Sequence, residues 1–65
     1  MRQSMRELDQ AVAYCNRHIE RNQAELQRRQ RSGHDTSQVA MRLKTLEAVK
    51  AVHEADRERF QSGRA

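Results

Sequence analysis

Cys15 is the single cysteine of the chain, and His18, His34 and His53 are its histidines. A thiol held beside an imidazole is the pairing that yields a nucleophilic thiolate. If the chain folds back on itself, Cys15 and His53 become neighbours. Nucleophilic catalysis also needs donors aimed at a developing oxyanion and a cleft that holds substrate. A narrow helical hairpin offers neither. Cys15 is therefore expected to be a small core thiol, and His53 a packed or partly exposed imidazole. No two histidines have the i, i+4 spacing of a helical metal site, and no Cys/His cluster has zinc spacing. The sequence predicts no enzyme, no cofactor and no metal.

The other residues with chemistry to offer are cations. Arg28, Arg29 and Arg31 fall close together, with His34, Arg42 and Lys44 shortly after, countered by Glu25, Asp35 and Glu47. The formal net charge is +4, from 13 basic and 9 acidic residues. Such a patch could contact phosphates, in binding that would be salt-sensitive. No aromatic is interleaved for base stacking, because Tyr14 and Phe60 lie far away. A solvated helix surface carrying intrahelical ion pairs accounts for the same residues. Nucleic acid is thus the alternative partner, with Arg28, Arg29, Arg31, Arg42 and Lys44 as its candidate contacts.

The elements that position these residues follow from apolar spacing. Met5, Leu8, Val12, Cys15, Ile19, Asn22 and Leu26 alternate steps of three and four, which keeps them on one stripe of a helix. Ser4 and Glu7 form an S-x-x-E capping box that starts the helix at residue 4. Arginines suit its C-terminal turns, and Gly33 can close it in the left-handed conformation, so the helix spans 4–31. After a turn over 32–36, a second helix spans 37–61. Asp35, Thr36 and Ser37 are all N-cap types, and Asp35 with Gln38 imitates a second capping box. Its apolar stripe is read as Val39, Leu43, Leu46, Val49 and Phe60, with His53 on the same face. Gly63 falls past its end.

Proline is absent and the two glycines, Gly33 and Gly63, sit at helix ends. The fold class is all-α: one antiparallel, coiled-coil-like two-helix hairpin occupying residues 1–65 as a single domain. Leu26 should face Met41 to Leu43, Ile19 the region of Leu46 to Val49, Cys15 His53, and Leu8 Phe60. The core or interface set is Leu8, Val12, Cys15, Ile19, Leu26, Val39, Leu43, Leu46, Val49 and Phe60. Asn22 is either a tolerated polar residue or a device that fixes register. Ala11, Tyr14, Ala48, Val52 and Ala55 lie off the seam, and a chain this short is marginal alone. A homodimer forming a four-helix bundle would use them, as would docking onto a different protein. Residues 1–4 lead into no apolar run of leader length, and nothing approaches the roughly 20 apolar residues of a membrane span. The stripe lacks the bulky anchors of a membrane-surface helix. A cytoplasmic protein with a reduced thiol is expected, acting as an interaction or adaptor module for an unidentified protein partner.

Gly33-His34-Asp35-Thr36, followed by Ala40, Leu43, Leu46, His53, Asp56, Arg57 and Phe60, resembles a family of small bacterial helical-hairpin proteins. His18-Ile19-Glu20-Arg21 is similar to the start of their charged first helix. The likeness covers residues 17–60. It implies a hairpin with a G-H-D-T turn and carries no activity. In length and helix count the chain also resembles small dimeric RNA-binding hairpins of plasmid copy control.

Overall fold

The computed structural model describes residues 4–63; residues 1–3, on which the leader expectation partly rests, lie outside them. Helix α1 spans Met5–Ser32 and helix α2 spans Ser37–Ser62. Both boundaries agree with the sequence to within a residue, because the caps are local. The Ser4 hydroxyl accepts from the Glu7 amide at 3.1 Å, and the Ser4 amide donates to the Glu7 carboxylate at 3.4 Å. These two bonds complete the expected capping box.

At the other end of α1, Gly33 has φ of 73° and ψ of 17°. Its amide donates to the Gln30 carbonyl at 3.3 Å, and that of His34 to the Arg29 carbonyl at 2.9 Å. This Schellman pairing satisfies carbonyls that the last helical turn would leave unpaired, and it turns the chain back. The start of α2 differs from expectation. The Asp35–Gln38 capping box does not form, because Asp35 lies one residue ahead of the N-cap. Its carboxylate instead accepts from the Ser37 amide at 3.0 Å and the Ser37 hydroxyl at 2.7 Å. Thr36 occupies the N-cap with ψ near 0° and makes no side-chain cap bond.

The helices pack along one antiparallel seam. From α1 it buries Leu8, Val12, Cys15, Ile19 and Asn22, and from α2 Val39 and Leu43. Ile19, Val39 and Leu43 form one cluster, with Leu26 and Leu46 packed against it. Leu46 and Phe60 are half-buried. Val49 corrects the expected stripe: it is 41% exposed and lies off the seam. After Leu46 the seam continues through Lys50, His53, Arg57 and Phe60, all half-buried. Lysine and arginine suit such half-buried places because their methylene stems tolerate an apolar surface while the charge reaches water. Met41, expected opposite Leu26, is also off the seam.

Three polar contacts fix the register. The Arg42 guanidinium donates to the Asn22 side-chain oxygen at 3.1 Å and lies 3.8 Å from Glu25. Arg57 pairs with Asp9 at 3.1 Å near the open end. The product is a rod of 52 × 19 × 15 Å. Its radius of gyration is 15.1 Å, against about 11 Å for a compact chain of this length. Among the described residues no helix is long and apolar enough to cross a membrane.

A β-carbon added at Gly33 would meet nothing within 4 Å, so its cost is backbone strain alone. Gly33→Ala should lower stability by about 1–2 kcal/mol in urea melts. A synthetic chain with D-alanine there should be no less stable than the parent, since its β-carbon suits positive φ.

Candidate interaction surfaces

The basic end is more engaged than its composition suggests. Arg29 donates to Glu25 at 2.9 Å and to the Asp35 carbonyl at 3.3 Å. Arg42 is held by Asn22 and Glu25. Arg28, Arg31 and Lys44 are exposed and have no partner among the described residues. Arg28, Arg29 and His34 line a shallow, open depression of about 370 Å³ together with Glu25 and Ser32. Arg31, Arg42 and Lys44 lie outside it. Three of the five candidate contacts therefore sit away from the depression, and its one carboxylate already binds two of the arginines.

The Asp35 carboxyl is held below the ordinary aspartate range. The first cause is its bond from the Ser37 hydroxyl, then that from the Ser37 amide; desolvation opposes them, and Arg29 and the Thr36 amide add lesser attraction. The charged form is the one that organises the start of α2.

Cys15 is buried and free. His53 Nδ1 is also buried and hydrogen-bonds to nothing among the described residues, so no thiol–imidazole bond links the two. An unpartnered buried nitrogen lowers stability, which suits a seam residue accepted for its size. His18 lies at the rim, its ring tilted against that of Tyr14 at a centroid distance of 4.2 Å and 42° between planes. Among the described residues, no three His, Cys, Asp or Glu side chains converge as metal ligands would.

The largest unpaired feature is apolar and lies on α2. Met41 is 72% exposed and Val52 59%. Met41, Thr45, Ala48, Val52 and Ala55 follow alternating steps of four and three, and every one is exposed. At 3.6 residues per turn this keeps them on one slowly winding stripe on the side of α2 turned away from α1. Ala48, Val52 and Ala55 were legible as off-seam residues in the sequence. The continuous stripe through Met41 and Thr45 was missed, although its heptad steps could have revealed it. Helix α1 has one apolar face and α2 has two.

No protein family, no curated protein and no solved structure matches this chain.

Two outcomes follow from the turn end. Because the folded state lowers the Asp35 pKa, its contribution is present at neutral pH and disappears as pH falls through the folded value. Asp35→Ala should be less stable than the parent at pH 7, and the difference should shrink in paired thermal melts as pH falls below the ordinary aspartate range. In gel-shift assays at physiological salt the chain should show no duplex or single-strand binding. Should binding occur at low salt, neutralising Arg28, Arg29 and Arg31 should weaken it far more than neutralising Arg6, Arg17 and Arg21. Its log–log salt slope should be about −0.9 per duplex phosphate neutralised.

Proposed function

We propose that this hairpin is a small, non-enzymatic protein–protein interaction module. It works as a homodimer in the cytoplasm, with two hairpins completing a four-helix bundle and presenting adaptor surfaces to a further protein. The observation that carries this reading is the second apolar stripe of α2, which the hairpin leaves in water. Surface area supports it. The chain exposes 5327 Å², whereas surface–mass scaling gives about 4300 Å² for a compact monomer of 7.7 kDa. The excess of roughly 1000 Å² is comparable to the roughly 800 Å² that each partner buries in a standard interface. The buried free thiol of Cys15 accords with a reducing compartment.

A nucleic-acid regulator is the second reading, favoured by the unpaired cations Arg28, Arg31 and Lys44. It draws on part of the basic end only, since Arg29 and Arg42 are already bound within the chain.

Sedimentation equilibrium at micromolar concentration should return twice the 7.7 kDa chain mass. The melting temperature should rise with concentration, as mass action requires of a dimer. A mass of one chain across that range, with a constant melting temperature, would overturn the homodimer.

A further inference from the structure

We infer that the outer stripe of α2 docks onto the same stripe of a second copy, antiparallel, about a two-fold axis level with Val49 to Ala51. This rests on the homodimer reading above and specifies which face and which direction the dimer uses. In heptad terms the stripe supplies the core positions, and the residues beside it supply the flanks. One flank reads Arg42, Val49, Asp56 and the other Lys44, Ala51, Glu58. Each flank carries a cation towards the turn, a small or apolar residue in the middle, and an acid seven residues beyond it.

Antiparallel pairing brings like flanks together with their order reversed. Lys44 then meets the partner's Glu58, twice by symmetry, while Arg42 and the partner's Asp56 face each other already engaged within their own hairpins, Arg42 by Asn22 and Glu25 and Asp56 by Arg59. At the axis Val49 and Ala51 meet their own copies. The same alignment layers Ala48 against the partner's Val52 and Thr45 against the partner's Ala55. Small residues at these layers let the backbones approach. Met41 lies at the stripe's end beside the partner's Arg59, whose stem covers it while the charge stays in water. A parallel pairing would set Lys44 beside the partner's Val49 and Ala51 beside the partner's Asp56, matching no charge. Within one hairpin Lys44 and Glu58 have no partner among the described residues, so the second copy supplies what the single chain lacks.

The occupant is a second copy rather than a membrane. A lipid surface would favour cations along both edges of the stripe, whereas each edge here ends in an acid. In the dimer the α2 helices are inner and the α1 helices outer, so the four helices lie in a row in place of a bundle around one shared core, and the two turns lie at opposite ends.

The test is charge reversal, read by sedimentation at low salt, with circular dichroism confirming that each variant remains helical. Lys44→Glu should raise the dimer dissociation constant about tenfold, because two attractive pairs become repulsive. The double variant Lys44→Glu/Glu58→Lys should restore the parent constant, since the pairs re-form with signs exchanged. A dimer that ignores Lys44→Glu, or is not restored by the double change, overturns the antiparallel α2 pairing and leaves the homodimer standing. A parent that stays monomeric overturns the homodimer itself.

Discussion

One stripe of α1 must leave water, and everything else in the hairpin is arranged around that need. Leu8, Val12, Cys15 and Ile19 form a seam too narrow to close on itself. Among the described residues its cover is α2, and α2 reaches α1 because Gly33 reverses the chain within a few residues. The left-handed glycine and the apolar stripe are therefore coupled. Without the turn the stripe has no partner in its own chain, and without the stripe the turn has no reason to hold two helices side by side. Nucleating helices this long in isolation is unfavourable, so packing along the seam is also what keeps them helical.

Within the seam, Asn22 answers the question its position raises. It is 7% exposed, yet its amide donates to the His18 carbonyl at 2.7 Å and its oxygen accepts from Arg42. Both halves of the side chain are satisfied, one within α1 and one across the seam. Sliding α2 by a turn would remove the Arg42 donor and strand a buried oxygen, which costs more than the bond itself contributes. The geometry supports the register-device alternative, since a merely tolerated polar residue would not need a donor from the opposite helix.

How much the sequence discloses depends on where the determining forces act. The capping box, the glycine turn and the stripe of α1 are set by residues within a turn or two of one another, so they are legible. The seam of α2 is less so. Its hydrophobic residues surround the helix, and reading polarity alone selects Val49 over Lys50. Spacing decides otherwise: from Leu46 the step of four leads to Lys50, and from there His53, Arg57 and Phe60 keep the alternation. A lysine stem can cover a seam, which a polarity scale does not register. The basic end misleads for a related reason. Residues adjacent in sequence diverge around a helix, so Arg28, Arg29 and Arg31 leave α1 in different directions. Glu25 engages Arg29 one turn along α1, a local pair, whereas the Asp35 carbonyl on Arg29 and the Asn22 and Glu25 contacts of Arg42 arise only once the chain has folded back.

The two helices are thus unequal in a way that bears on assembly. Helix α1 concentrates its aliphatic residues on one side and packs them on α2, with Tyr14 left exposed off the seam. Helix α2 divides its own between two opposite sides, and so has less to give the seam. Beyond Leu46 that seam is completed by Lys50, His53 and Arg57, and its open end is held by buried Leu8 and by the Arg57–Asp9 pair. A helix designed only to cover α1 would place valines at those positions and polar residues at Met41, Val52 and Ala55. The reverse distribution leaves an apolar stripe facing outward. Such a stripe gains stability when another surface of similar length and winding covers it, and the same stripe on a second α2 has both.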